Sequence, residues 1–214
     1  MLYHINAFRQ AVYETPLLEG DLLPSDSTML ALQSTFHQLQ TSHHTVSTSR
    51  LTNAFGWNRS DTFEQQDVQE MLRVLLDKLE EGMRGNGVVE GSIKRLFAGT
   101  VKSFIRCTDV TYESSRLEEF YDIQLDIKGC KDVKDSLRKY CAMEMLSAEN
   151  ENQYDAGEQF GKQDAQKGVI FTELPPVLTM HLKRFEFDRV SNGHRRAYLF
   201  CFIMVCGCVV FYVW

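Results

Sequence analysis

The sequence predicts an α+β fold in which helices come first and an antiparallel sheet follows. Apolar residues recur at helical spacing as far as Met83, and from Val101 the apolar period shortens to two. A composition of 43% hydrophobic and 24% charged residues over 214 positions suits one ordinary globular domain with a sizeable core.

Leu2, Ile5, Phe8 and Val12 predict an amphipathic helix with no capping residue ahead of it, so the chain is expected to begin inside an element. Ser25, Asp26 and Ser27 offer caps for a second helix carrying Leu32, Phe36 and Leu39 on one face. A short helix is expected before Gly56. The strongest stripe, Val68, Leu72, Leu75, Leu79 and Met83, predicts a helix over 63–84 with Gly85 as its stop. Strands are expected over 101–107, 110–112 and 120–127, where Ile123, Leu125 and Ile127 alternate with Gln124, Asp126 and Lys128 in the manner of a half-exposed sheet. Val133, Leu137 and Tyr140 predict a further helix, and residues 147–168 read as loop. Strands return over 169–171 and 177–187, separated by Pro175 and Pro176.

The formal net charge of -6, with both signs interspersed, offers no electrostatic footprint for nucleic acid or an anionic membrane. Six cysteines, three of them within one apolar tail, spell no disulfide framework, and the N-terminus lacks the apolar run of a signal peptide. Cytosol or nucleus is the expected location. Residues 198–214, YLFCFIMVCGCVVFYVW, differ in composition from all that precedes them. Three readings stay open, in order of preference: read-through of a U-rich non-coding stretch, a membrane anchor with Arg195 and Arg196 on the cytoplasmic side, or a buried strand pair. A membrane is expected as partner only if that tail is a true anchor, and the tail is expected to lie outside the fold.

Seven stretches carry a resemblance: LALQSTFHQLQ from Leu30, LTNAFGW from Leu51, QQDVQEMLRVLLDKLE from Gln65, GTVKSFIRC from Gly99, EEFYDIQLDIKG from Glu118, YDAGE from Tyr154 and LPPVLTMHLKRFEFD from Leu174. In this order and spacing they resemble the ubiquitin-specific protease family, the peptidases of the ubiquitin carboxyl-terminal hydrolase type, nearest its herpesvirus-associated branch. The resemblance covers residues 1–190 and implies part of a papain-like cysteine protease fold of thumb, palm and fingers. Residues 1–84 would supply thumb, 99–128 fingers and 169–190 palm. Many family members hold zinc in the fingers through two CxxC pairs. No CxxC pair occurs here, so neither metal nor other cofactor is expected.

The partners implied are ubiquitin, gripped by its C-terminal tail, and ubiquitinated proteins. That tail carries two arginines, which carboxylates recognise through charge-assisted forks. By resemblance, Gln66, Asp67 and Glu70 line the tail channel. Asp67 and Glu70 lie three apart on one helix and share a face; taken alone, an acidic first turn complementing the helix dipole accounts for them better than binding does, and the collinear resemblance reverses that order. The resemblance extends to Tyr154, Asp155 and Glu158 in YDAGE, to Trp57 after Gly56, and to Phe185 in LKRF. A solvated loop, a core tryptophan and an ordinary strand residue are their plain alternatives.

The family's nucleophile comes from a Gly- and Asn-rich segment ending in Cys-Tyr, and its base from a Gly-His-Tyr stretch backed by a later Asp or Asn. Neither segment is present in this sequence, so no catalytic residue is assigned. Cys107, Cys130 and Cys141 do not open a helix beside a histidine, as an activated thiolate requires. The expectation is therefore a fragment of a cysteine-type deubiquitinase, inactive as it stands, that retains its ubiquitin-tail contacts. A non-catalytic ubiquitin-binding decoy and a tail-anchored membrane adaptor are the alternatives. Apolar faces left uncovered are expected to make the isolated chain poorly soluble.

Overall fold

The helical half of the chain is organised around Phe36. It lies 3% exposed on α2 (Thr28–Thr41) and receives three aromatic edges. Tyr3 comes from a 3-10 turn (Leu2–His4), and Phe8 and Tyr13 come from α1 (Asn6–Glu14); their centroids lie 5.5, 6.1 and 6.4 Å from the Phe36 ring, all edge-on. This belongs to the first of two units, residues 1–96 and 97–214, of the computed structural model. The structure describes residues 2–16, 27–56, 68–183, 185–188 and 193–196.

The expected first helix is thus split. The 3-10 turn closes with Ile5 N–H donating to the Leu2 carbonyl, and Ile5 takes the N-cap position of α1 with no side-chain cap. At the other end, the Gln33 amide on α2 donates to the carbonyls of Val12 (2.7 Å) and Thr15 (2.9 Å). A helix terminus leaves such carbonyls without partners of its own, so one α2 side chain completes the end of α1. Ser27 caps α2, accepting from Leu30 N–H at 3.2 Å; Ser25 and Asp26 lie outside the described residues. Leu39, expected on the buried face, is 44% exposed.

The short helix α3 (Ser49–Ala54) precedes Gly56, whose φ of +80° suits the left-handed stop that glycine tolerates. α4 (Val68–Met83) buries Leu75, Leu76, Leu79 and Met83, with Leu72 half-buried. The expected turn over 63–67 lies outside the described residues. Lys78 on α4 reaches Ala54 O at 3.5 Å and lies 5.1 Å from the Phe55 ring centroid, tying α4 to the end of α3. A helix absent from the sequence expectations, α5 (Ser92–Phe97), buries Ile93 and Phe97.

The second unit is built on β1 (Gly99–Cys107), which pairs on both sides. β2 (Glu113–Phe120) runs antiparallel to it with Phe104 opposite Ser115. β3 (Asp122–Asp126) leaves that sheet. α6 (Val133–Tyr140) starts at a reciprocal cap, in which Asp132 accepts from Asp135 N–H at 2.8 Å and Asp135 from Lys131 N–H at 3.1 Å. β4 (Glu144–Leu146), β5 (Tyr154–Asp155), β6 (Lys162–Gln163), β7 (Ala165–Glu173), β8 (Thr179–Lys183), β9 (Phe185–Asp188) and β10 (Gly193–Arg196) follow. The main sheet has the order β2-β1-β7-β4; β5 with β6 and β9 with β10 form antiparallel pairs.

Three local expectations are corrected. Residues 110–112 form the bend between β1 and β2, because Tyr112 packs sideways on Tyr154 and Phe160 rather than into the sheet. The expected strand over 120–127 breaks at Tyr121: Phe120 closes β2, whereas β3 pairs with β8 in parallel, Ile123 opposite Met180 and Leu125 opposite Leu182. The expected loop over 147–168 contains β5, β6 and the start of β7.

Ile123, Leu125 and Ile127 point together into a core with Leu178, Met180 and Leu182, as their alternation implied. α6 covers this cluster with Val133 and Leu137, and the buried Ser136 hydroxyl donates to Asp126 O at 2.8 Å. Burying each such aliphatic side chain stabilises by about 1.5–3 kcal/mol relative to exposure. Tyr140 stacks on Phe171, centroids 5.9 Å apart.

The Phe104 ring sits against β7 at Gly168, where a Cβ would meet the ring at 2.8 Å; at Gly99 a Cβ would collide with the Phe120 ring. Both glycines make room for an aromatic from the neighbouring strand. Gly168→Val is expected to destabilise the second unit by about 1–3 kcal/mol through overpacking, read as a lowered urea midpoint with an unchanged slope.

Candidate functional site

The candidate residues fall on two elements, one in each unit. In the first, Glu70 occupies the first described turn of α4 with its side chain exposed. A carboxylate there complements the positive end of the helix dipole. Gln66, Asp67 and Trp57 lie outside the described residues.

In the second unit, Tyr154, Asp155 and Glu158 come together on one small hairpin, β5–β6. Ala156 N–H donates to Gly161 O (2.8 Å) and Gly161 N–H to Gly157 O (2.7 Å). Gly157 and Gly161 both adopt positive φ, +86° and +64°, as so tight a reversal requires. Asp155 accepts from Gly157 N–H at 3.0 Å, so one of its carboxylate oxygens braces the turn. Asp155 stands opposite Lys162 in the ladder, and Glu158 is exposed at the tip.

Tyr154 has a different role from the other two. It is half-buried in a cluster with Cys107, Ala156, Ala165, Tyr112 and Phe160. Its ring centroid is 6.3 Å from that of Tyr112, which lies 5.7 Å from that of Phe160. The hydrogen bond to Tyr154 pushes the Tyr112 phenol above its ordinary pKa. Tyr154 therefore anchors the hairpin, while Asp155 and Glu158 are presented to solvent. Phe185 opens β9 opposite Arg196; only its backbone is described.

Two polar residues that the sequence reading passed over complete this end of the sheet. Gln153 donates to Asp164 Oδ1 at 2.7 Å, and Asp164 also accepts from Ala148 N–H at 3.0 Å. Their only signal in the sequence was a polar pair bracketing YDAGE.

The three described cysteines are free thiols. Cys107 is buried at the end of β1. Cys130 donates weakly to the carbonyls of Asp126 and Lys128. Cys141 takes the C-cap of α6, where the carbonyl end of the helix disfavours a thiolate, and burial pushes its thiol above the ordinary value. His43 and His44 are exposed beyond α2, and His181 is half-buried on β8 opposite Gln124. Among the described residues, no three of His, Cys, Asp and Glu stand close enough to share a metal ion, and no helix is long and apolar enough to cross a membrane.

Comparison with known proteins defines the class. The sequence profile of the family "Ubiquitin carboxyl-terminal hydrolase" matches residues 1–199. Ubiquitin C-terminal hydrolase 12 of Arabidopsis thaliana is 52% identical over 187 residues, 87% of this chain and 16% of the plant protein. Ubiquitin carboxyl-terminal hydrolase 7 of Drosophila melanogaster is 50% identical over 192 residues, covering 90% and 16%. Ubiquitin carboxyl-terminal hydrolase 15 of Saccharomyces cerevisiae is 48% identical over 181 residues, covering 85% and 14%. A chain of the SAGA Ubp8/Sgf11/Sus1/Sgf73 DUB module shares the fold, with a TM-score of 0.71 at 22% identity over 93% of this chain and 46% of that one. The chain belongs to the ubiquitin carboxyl-terminal hydrolase family, and it spans 14 to 16% of the length of these curated relatives.

Since burial raises the Cys141 pKa, its thiolate forms only at higher pH than that of a free cysteine. Alkylation of Cys141, followed by peptide mass spectrometry, is expected to rise with a midpoint above the ordinary thiol value of about 8.5.

Proposed function

We propose that this chain is the ubiquitin-gripping portion of a cysteine-type deubiquitinase, a ubiquitin thioesterase or isopeptidase, and that residues 1–214 bind the C-terminal tail of ubiquitin without hydrolysing it. The collinear family match over residues 1–199 carries this reading. The described carboxylates support it: Glu70 in the first turn of α4, and Asp155 and Glu158 on the hairpin, are exposed and carry the charge that meets guanidinium groups. By the family resemblance, Gln66 and Asp67 belong with the first contact, Tyr154 supports the second, and Trp57 and Phe185 are further proposed contact positions, one in each unit.

Thiol chemistry among the described residues supports the absence of hydrolysis. Attack on a thioester or isopeptide carbonyl needs a thiolate activated by a histidine or a helix N-terminus. Among the described cysteines, Cys107 is buried, Cys130 is held against backbone carbonyls, and burial pushes the Cys141 thiol up, away from thiolate. Ubiquitinated proteins are the proposed partners, in the cytosol or nucleus, where free thiols persist.

The test is a titration of isotope-labelled ubiquitin with the 1–214 chain. Resonances of the ubiquitin tail are expected to shift and to weaken at least tenfold in response to the Asp67→Ala, Glu70→Ala double variant, as expected from losing two charge-assisted contacts of about 1.5–3 kcal/mol each. An undiminished response in the double variant would remove these carboxylates from the grip. No response to the folded wild-type chain would overturn the reading.

A further inference from the structure

We propose that Asp164 is the positioning residue of the Tyr154–Gln163 hairpin, and that by holding this hairpin in one conformation it sets the affinity of the Asp155/Glu158 surface for ubiquitin. The second half of the proposal rests on the reading of the hairpin as a ubiquitin contact.

The hairpin is too small to hold itself. β5 and β6 contribute two residues each, and an isolated two-stranded hairpin is marginal in water even at greater length. Its apolar side, Tyr154, Ala156 and Phe160, packs on a cluster of Cys107, Ala165, Ile105, Val110, Tyr112 and Leu146. That packing anchors one side of the hairpin through Tyr154, while polar contacts hold the chain at its entrance and exit.

Those contacts converge on Asp164, the residue between β6 and β7. Its carbonyl accepts from Thr108 twice, from N–H at 2.9 Å and from Oγ1 at 3.1 Å, which joins the hairpin exit to the bend after β1. Its carboxylate oxygen Oδ1 accepts from Gln153 Nε2 at 2.7 Å, immediately before β5, and from Ala148 N–H at 3.0 Å, where a 3-10 turn (Ala148–Asn150) begins. One residue therefore ties the entrance of the hairpin, its exit and the neighbouring bend, through two charge-assisted bonds and two neutral ones.

A second observation lies in the approach segment. Glu151 has φ +55°, the one non-glycine residue at positive φ among the described residues. A residue is kept in that region when its surroundings over-determine it. Here Ser147 N–H donates to Asn152 Oδ1 at 2.9 Å and Asn152 N–H to Ser147 O at 3.3 Å, while Asp164 holds the residues on either side, Ala148 and Gln153. The Asp164 carboxylate thus clamps a turn the chain would otherwise leave. Removing the clamp lets the hairpin sample more conformations, and a binding surface that must be ordered on contact binds more weakly.

The test compares Asp164→Leu with Asp164→Asn in the 1–214 chain. Asparagine keeps the Oδ1 acceptor for Ala148 and Gln153; leucine abolishes it at similar size. Amide exchange at Ala156 and Gly161 is expected to accelerate in the leucine variant and to stay near wild type in the asparagine variant, with β1 amides unchanged in both. Ubiquitin affinity is expected to fall about tenfold with leucine, in line with lost charge-assisted bonds, and to be rescued by asparagine. Unchanged exchange at Ala156 and Gly161 in the leucine variant overturns the positioning role. An Asp155→Ala, Glu158→Ala variant separates the remaining failures. If that variant weakens binding while the leucine variant accelerates exchange without weakening it, the link from position to affinity is overturned. If neither weakens binding, the reading of the hairpin as a ubiquitin contact fails instead.

Discussion

The register of β1 is the constraint on which the second unit depends. β1 is hydrogen-bonded on both sides, so a slip of one residue would turn every side chain of the strand to the opposite face. Two glycine–aromatic contacts oppose such a slip: Phe104 covers Gly168 on β7, and Phe120 at the end of β2 covers Gly99. With that register set, Cys107 falls opposite Ala165, and the bend after β1 delivers Thr108 to Asp164 and Tyr112 to Tyr154. The hairpin that displays Asp155 and Glu158 is the last consequence of where β1 sits.

The helical unit solves a comparable problem by different means. α1 is short and lacks a capping side chain at its start, yet its end is completed by Gln33 from α2 and its body is held by aromatic edges on Phe36. α4 then needs only one buried stripe, and its opposite face is free to carry Glu70 in solvent. In both units the carboxylates of interest are therefore exposed on elements whose position is set by buried contacts elsewhere.

Much of this was legible in the sequence, and the exceptions have physical causes. α4 announced itself because its apolar stripe is long and mostly buried as the period implies; α2 buries Leu32 and Phe36 but leaves Leu39 exposed, and α6 shows only the partly buried Val133 and Leu137. β3 announced itself because Ile123, Leu125 and Ile127 face one core. β2 escaped notice because it is the outer strand of its sheet, with the sequence ESSRLEEF and almost no buried face to leave a pattern. The apolar run 110–112 misled because Tyr112 serves a side cluster rather than the sheet. α5 is a single pair of turns, too short for periodicity to register. The parallel pairing of β3 with β8 has no local signature, since it joins segments more than fifty residues apart. Among the candidate site residues, resemblance led to Asp155, Glu158 and Glu70, and the structure adds what resemblance could not: Tyr154 is an anchor, and Gln153 and Asp164 bind the hairpin to its base.

Binding without cleavage is tested most directly by exposing the 1–214 chain to ubiquitin that carries a thiol-reactive electrophile at its C-terminus. If these residues grip the tail but present no activated thiolate, the chain will associate with the probe yet form no covalent adduct faster than an unstructured cysteine peptide does. Rapid, stoichiometric adduct formation at any one cysteine would contradict this and would identify a nucleophile.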